Sequence, residues 1–373
     1  MSSTPTRFQG SPGRTRLARL FALTLSTGLS LLGLELGLRV FWDGYYLKGD
    51  HAYAQPHSTR GWANIPDVSL EYGEPEYRIG LRHNSLGFRG PEVGPKSADR
   101  TRVLLLGDSF AYGLGAEEDE TLAARLEALD PHLEVLNAGV NGYGTGQELL
   151  LLRELGEGLK PDIVVLAFFW NDIANNVERD SHRFQLVSGQ VVPPPPIEVL
   201  PAVSTSAPPP RRNARLRHSY LYRFTSDRMK SVRFWAKHLL GIPHEDGDRL
   251  PPERREAAWT LERALMRELR DTTAALGARL LVVIIPEQAQ VQPDAHVLGL
   301  VEADYQIQDR LLTIGREEGI AVADLLPGLA RAYAESGTQL YYRQDRHLRP
   351  GGIAVAAEQV LAELRDRDWI PGP

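Results

Sequence analysis

Five residues of this chain are of types that together could carry out acyl transfer, and their places along the sequence are regular. Ser109 lies in Gly107-Asp108-Ser109-Phe110, directly after the apolar run from Arg102 to Leu106. Gly139 lies in Asn137-Ala138-Gly139, at the end of a second run that starts at Leu133. Asn171 lies in Trp170-Asn171-Asp172, after a third run from Asp162 to Phe169. Asp345 and His347 come later, in Asp345-Arg346-His347, just before the last helical stretch. A serine hydroxyl is a weak nucleophile and needs a base within hydrogen-bond reach. His347 can be that base, and Asp345 can hold its ring and stabilise the imidazolium. The tetrahedral intermediate then needs donors aimed at its oxyanion. The backbone N–H of Ser109, at the start of a helical turn, is one candidate. The others are the backbone N–H of Gly139 and the side-chain amide of Asn171. At Gly139 the missing side chain lets the backbone come close to a substrate.

Each residue alone has an ordinary structural explanation. A Gly-Asp-Ser tripeptide is often a strand-to-helix turn with a cap. Gly139 could serve turn geometry, Asn171 a loop cap, and His347 the surface. Their joint placement is what argues for a site, because open α/β sheets bind ligands beyond the carboxyl ends of their strands. Asp324, after a fifth apolar run, is a fallback for the acid, against the plainer role of a loop or helix-cap acceptor. Asp108 and Asp172 read as loop-bracing residues. No metal is expected: there is no cysteine, and the other nine histidines lack metal-ligand spacing. Two competing motifs are absent at the right place. An α/β-hydrolase elbow needs Gly-x-Ser-x-Gly, but Ser109 sits in Gly107-Asp108-Ser109-Phe110-Ala111. A dinucleotide fingerprint needs its glycines after the first strand, whereas Gly139, Gly142, Gly144 and Gly146 follow the second.

The set resembles the SGNH (GDSL-like) hydrolase family. Gly107-Asp108-Ser109 looks like the family's opening block, Gly139 its glycine, Asn171 its asparagine and His347 its histidine, in the family's order. Asn84-Ser85-Leu86-Gly87-Phe88-Arg89-Gly90 is also similar to a lead-in of membrane-anchored bacterial members. The resemblance implies a flavodoxin-like three-layer α/β sandwich around a central parallel sheet, with no cofactor and no metal. Two positions depart from the family. Phe169 stands where a glycine commonly precedes the asparagine, and Gln344 stands three before His347 where the acid is commonly found. The acid is instead two residues before the histidine, so Asp345 can reach the ring only if its loop bends.

The elements that must position these groups alternate along the chain. Strands are expected at Arg102–Leu106, Leu133–Asn137, Asp162–Phe169, Arg279–Ile285 and Ile320–Ala323. Helices are expected near Glu120–Leu129, Gln147–Leu155, Pro252–Leu276, Glu302–Glu318 and Gly351–Leu364. Such alternation predicts a parallel sheet with helices on both faces. An insertion over about 175–250 interrupts it. Its proline runs at 193–196 and 208–210 favour extended structure. Its basic and aromatic stretch, Arg215 to Leu240, suits one or two amphipathic helices. These either pack on the domain or serve as a lid or lipid-touching surface.

The N-terminus speaks about location. Arg7, Arg14, Arg16 and Arg19 precede an apolar run, and Leu17 to Trp42 is long enough to cross a bilayer. Glu35 and Arg39 can pair one turn apart near its outer end. Trp42, Tyr45 and Tyr46 could form an interfacial belt, and the arginines hold the preceding segment in the cytoplasm. A cleaved signal peptide is the alternative, although no A-x-A-like site follows the run. The expected organisation is a tail at 1–16, a signal-anchor helix at 17–42, and an irregular lead-in at 43–100 with one or two short strands such as Tyr77–Leu81. The hydrolase domain then runs over 101–367. This places the catalytic domain on the periplasmic side of a single-pass inner-membrane protein.

The net charge of -6 offers no general attraction to nucleic acid, and the apolar fraction of 42% supports a sizeable core. The first functional expectation is therefore a serine esterase that removes a short acyl group, such as acetyl, from a glycan or lipid through an acyl-enzyme. An O-acyltransferase of surface polysaccharide would use the same residues. A catalytically silent anchored glycan-binding protein is the alternative of another class, and the intact nucleophile and base argue against it.

Overall fold

The computed structural model describes residues 12–41, 53–178, 184–198, 219–240, 250–292 and 306–371. They form two compact units, one from Met1–Tyr45 and Ser206–Arg233, the other from Tyr46–Thr205 and Phe234–Pro373.

In the first unit, helix α1 spans Pro12–Phe41, and its stretch Arg19–Phe41 is long and apolar enough to cross a membrane. The leucines along it are exposed, as expected of a lipid-facing helix rather than a core one. Glu35 and Arg39 pair at 3.0 Å, one turn apart. The proposed belt residues Trp42, Tyr45 and Tyr46, most of the expected tail, and the proline run at 208–210 lie outside the described residues.

The second unit opens with two antiparallel pairs. Strands β1 (Ala54–His57) and β2 (Gly61–Asn64) form one, β3 (Ser69–Glu74) and β4 (Tyr77–Arg82) the other. The lead-in is thus more regular than expected. Strand β4 is the one expected at Tyr77–Leu81, one residue longer, while β1, β2 and β3 were not anticipated. Next come β5 (Thr101–Gly107), a one-turn helix α2 (Ser109–Tyr112), α3 (Leu122–Leu129), β6 (Leu133–Asn137), α4 (Thr145–Leu159), β7 (Ile163–Phe168) and α5 (Asn171–Glu178). The insertion carries a short hairpin, β8 (Gln185–Val187) with β9 (Gln190–Val192), which sequence patterning did not reveal. Its basic stretch is one helix, α6 (Tyr220–Leu239), which through Arg233 belongs to the first unit. The chain then runs through α7 (Pro252–Ala275), β10 (Arg279–Ile284), α8 (Gln288–Val291), α9 (Ile307–Glu318), β11 (Ala321–Asp324), α10 (Leu326–Ser336) and α11 (Pro350–Asp366). Helix α10 was not anticipated. Asp324 ends strand β11 instead of following it, and residues 302–305 of the expected helix fall outside the described set.

Five strands pair in the order β6-β5-β7-β10-β11, all parallel. Numbered along the sheet's own sequence this is 2-1-3-4-5, the flavodoxin-like order that was expected. Strand pleating divides the core. Leu104, Leu106, Val164, Leu166, Val282 and Ile284 pack with α4, α7 and α9 on one face. Val103, Leu105, Ile163, Val165, Leu281 and Val283 pack with α3, α10 and α11 on the other. Strands covered on both faces read as continuous apolar runs, which is why these five strands were legible. The crevice where the order reverses lies between β5 and β7, at their carboxyl ends.

Candidate active site

Three of the five singled-out residues sit at that crevice. Strand β5 ends at Gly107, whose φ of 145° and close approach to Ala167 O exclude a side chain. Asp108 then caps α2, its Oδ1 accepting the N–H of Phe110 at 2.8 Å. This turn presents Ser109 as the first residue of the helix. Gly139 follows β6 and Asn171 opens α5 after β7.

His347 closes the set from the far end of the chain. Its Nε2 is 2.7 Å from Ser109 Oγ, and its Nδ1 is 2.5 Å from Asp345 Oδ1. The short Asp-Arg-His spacing works because Arg346 adopts φ 69°, a left-handed turn that folds the carboxylate back onto the ring. Asp324 does not approach the histidine. Its Oδ1 accepts the N–H of Leu326 at 3.0 Å, the loop-acceptor role. Burial resists the imidazolium of His347, yet the facing Asp345 carboxylate outweighs it and the histidine's pKa is raised above 6.5. For Asp345, burial is overcome by the histidine and by the Tyr77 hydroxyl, so its pKa falls below the usual carboxylate value.

The expected oxyanion donors are placed as follows. The Asn171 amide donates one hydrogen to Asp108 Oδ2 at 3.1 Å, which leaves its second hydrogen for another acceptor. The N–H of Gly139 is directed at Asn137 Oδ1, 3.2 Å away, and its carbonyl accepts from Asn64 Nδ2 at 3.0 Å. A Cβ at Gly139 would stand 2.3 Å from the backbone nitrogen of Tyr112. The glycine is therefore demanded by the packing of the β6 loop against the helix that carries Ser109. Asp108 and Asp172 brace their loops: Asp172 Oδ2 accepts the N–H of Phe169 at 3.1 Å. Phe169, at the position where the family commonly has glycine, packs against Phe110 with ring centroids 4.3 Å apart and planes tilted by 42°, and Phe110 in turn lies 4.9 Å from the His347 ring. The two phenyl rings make an apolar wall beside the His347 ring.

Several contributors were missed from sequence. Glu76, in the turn between β3 and β4, accepts the successive N–H groups of Arg343, Gln344 and Asp345 at 2.9, 2.6 and 2.8 Å. Tyr77 donates its hydroxyl to Asp345 Oδ2 at 3.2 Å. Arg89, in the stretch likened to a lead-in, is buried and donates to the carbonyls of Tyr112 and Gly113 at 3.2 and 2.6 Å. It satisfies the carboxyl end of α2. Only the Asn84–Gly90 likeness pointed toward Arg89, and nothing local in the sequence marks Glu76 or Tyr77.

Beneath the turn lies a second feature with no sequence signature. Asp108, Glu148, Asp172 and Glu262 are all fully buried. Glu262 accepts from Thr145 Oγ1 at 2.8 Å and Asn176 Nδ2 at 2.7 Å, while neither oxygen of Glu148 has a partner. Burial pushes Glu262 up to about 7, and burial plus neighbouring carboxylates drive Glu148 and Asp172 well above their ordinary range.

Residues 244–372 match the family model described as the SGNH hydrolase-like domain of acetyltransferase AlgX. Over that stretch the chain is similar to an SGNH hydrolase-like domain. The matched stretch holds Asp345 and His347. Ser109, Gly139 and Asn171 precede it, just after β5, β6 and β7. The probable alginate O-acetylase AlgJ of Azotobacter vinelandii is 30% identical over 116 residues, which is 30% of this chain. That match spans 29% of the relative's own length. Among solved structures, TesA is 14% identical, with 71% of this chain and 99% of that one covered and a TM-score of 0.37. A lipolytic protein of the G-D-S-L family from Veillonella parvula is 14% identical, covering 70% and 97%, at 0.39. The acetyl xylan esterase AlAXEase is 12% identical, covering 70% and 98%, at 0.40.

Proposed function

We propose that the SGNH hydrolase-like domain forms an acyl-enzyme at Ser109 and passes a short acyl group, such as acetyl, to a hydroxyl of a polysaccharide. The observation that carries the acyl-enzyme is the aligned series Ser109 Oγ, His347 and Asp345, linked at 2.7 and 2.5 Å. In the first half, Ser109 Oγ attacks the acyl carbonyl while His347 Nε2 takes its proton. The oxyanion is met by the N–H of Ser109 and the second hydrogen of the Asn171 amide. It is also met by the N–H of Gly139 once the substrate displaces Asn137 Oδ1. Collapse of the intermediate returns the proton from His347 to the leaving alkoxide. In the second half, an acceptor O–H gives its proton to His347 as its oxygen attacks the acyl carbon; the acyl–Oγ bond then breaks and His347 returns the proton to Ser109 Oγ.

The choice of acceptor is the finer point. The residues alone put water first, as in an esterase. The similarity to an acetyltransferase domain and to an O-acetylase supports a sugar hydroxyl instead. In this reading α1 crosses the inner membrane once and the domain that begins near residue 101 faces the periplasm, together with its lead-in.

The test uses the full-length chain in detergent, an activated acetyl ester as donor, and deacetylated oligosaccharide as acceptor. Acetylated oligosaccharide is expected, with both donor cleavage and transfer falling by about 10,000-fold in Ser109→Ala. Donor cleavage without any sugar product makes the protein an esterase. Equal rates in Ser109→Ala and wild type sink the nucleophile itself.

A further inference from the structure

We propose that helix α6 lies flat on an anionic lipid surface, pinned by its first turn to the outer end of the membrane-crossing helix α1. Glu35 is the pin. Its carboxylate accepts from the hydroxyl of Ser219 at 2.8 Å and from the N–H groups of Tyr220 and Leu221 at 3.0 and 2.9 Å. Arg39 donates to the same carboxylate at 3.0 Å and lays its guanidinium over the Tyr220 ring. The open N–H groups at a helix start favour a carboxylate partner. A carboxylate within a lipid-exposed helix, in turn, is costly unless donors meet it. Each group answers a need of the other. Glu35 is six residues from the end of α1, so the start of α6 is held about 9 Å inside that end. This is the depth of headgroups and upper acyl chains.

The rest of α6 suits that depth. It carries five Lys or Arg residues against one Asp. Helical spacing sets Leu221, Phe224, Val232 and Trp235 along one side, with Met229 at its margin. Met229, Val232 and Trp235 are exposed, although they are the residues a domain-packed helix would bury. Arg228, amid this side, folds back over the Phe224 ring at 5.3 Å, as a snorkelling arginine does. Exposed apolar side chains bordered by basic ones are the signature of an interfacial helix on anionic lipid.

The inference rests on α1 being a membrane span, and the experiment separates the two. The chain contains no cysteine, so single labels are clean. Val232→Cys and Ser226→Cys variants of the full chain, each carrying an environment-sensitive fluorophore, are reconstituted into phosphatidylglycerol–phosphatidylcholine vesicles containing headgroup-proximal spin-labelled lipid. The label at 232 is expected to be quenched several-fold more than that at 226. The difference should shrink in pure phosphatidylcholine and in a Glu35→Ala background, and persist in Glu35→Gln, which keeps an acceptor oxygen. A label at 232 reached by aqueous iodide, or shielded from both quenchers, overturns the interfacial helix. Release of the wild-type chain by alkaline carbonate would overturn the span instead.

A separate observation carries a second inference, which depends on the acyl-enzyme reading. The geometry points to Glu76 and Tyr77 as positioning residues that hold the Asp345–His347 loop from the lead-in. Three successive N–H groups converge on one carboxylate, and the buried Tyr77 hydroxyl takes the carboxylate oxygen that His347 leaves open. Removing that hydroxyl leaves the Asp345 charge less satisfied, so the acid–histidine pair should hold its proton more tightly. Tyr77→Phe is therefore expected to move the acid limb of the kcat/KM profile to higher pH. Glu76→Ala should lower kcat about 100-fold with little change in KM, and Glu76→Gln should recover part of it. A limb unmoved in Tyr77→Phe, in an enzyme that still requires Ser109, overturns the assignment. Indifference to Ser109→Ala would instead overturn the reaction on which it rests.

Discussion

In the proposed reaction His347 is the residue on which the chemistry turns, and its surroundings make a pH prediction. Only the neutral ring can accept the Ser109 proton. Its pKa is raised because the Asp345 carboxylate outweighs burial. Activity should therefore rise with pH through a value above 6.5, read as the acid limb of kcat/KM. A limb at or below the ordinary imidazole range would contradict the pairing. The same sign governs its share of stability. That share is present in acid and lost as pH rises through the folded-state value. Gly139 gives a packing test. Gly139→Ala would drive a Cβ into the Tyr112 backbone at 2.3 Å, and the chain there cannot yield without moving Ser109. A loss of at least about 100-fold in kcat, with roughly 1–3 kcal/mol of destabilisation, is expected by activity assay and urea melts. Gly158→Ala is the control. Nothing lies within 4 Å of its Cβ, and an alanine inside α4 should stabilise by about 0.5–1 kcal/mol.

At the scale of elements, the site depends on parts that carry no chemistry. Helix α2 is a single turn, too short to hold itself. Its carboxyl end is tied by the buried Arg89 guanidinium, and its Tyr112 hydroxyl lies 2.7 Å from His83 Nε2. Arg89→Lys supplies one point donor where a fork served several carbonyls. It should cost about 2 kcal/mol or more in urea melts and lower activity together with stability. The five sheet strands were legible in the sequence because each is a continuous apolar run. Of the lead-in strands only β4 was expected, as Tyr77–Leu81, because the pairs draw their stability from Tyr53, Tyr72, Tyr77, Ile79 and Leu81 packing against Tyr112, Leu114 and Tyr342. Those partners lie far along the chain. The Asp345 assignment was open for the same reason, since the left-handed turn at Arg346 has no local glycine to announce it.

At the scale of the molecule, the buried acids set the pH response of stability. Glu262 rises from 4.5 unfolded to about 7 folded, and Glu148 and Asp172 also rise. The folded state thus binds more protons than the unfolded one between those values. Stability should decline as pH climbs from about 5 to 8, where these carboxyls must ionise in the core. Glu148→Gln removes a carboxyl that has no partner and would have to ionise in the core, and should flatten the decline in thermal melts taken across that range. A melting temperature independent of pH in both proteins would show that the cluster does not titrate in the fold. The carboxylates' proximity to Asp108, the cap of the Ser109 turn, joins this core to the site.

By itself the sequence determined the parallel sheet, the apolar N-terminal helix and the residues at the strand ends. These are local signals: unbroken apolar runs, glycines at their ends, and a histidine ahead of the last helix. The tertiary structure alone decided which carboxylate faces His347, why Gly139 admits no side chain, and what holds the acid loop. Those answers depend on atoms brought together from separate stretches of the chain. Glu76 meets Asp345, and Gly139 meets Tyr112, only after the sheet has closed its order.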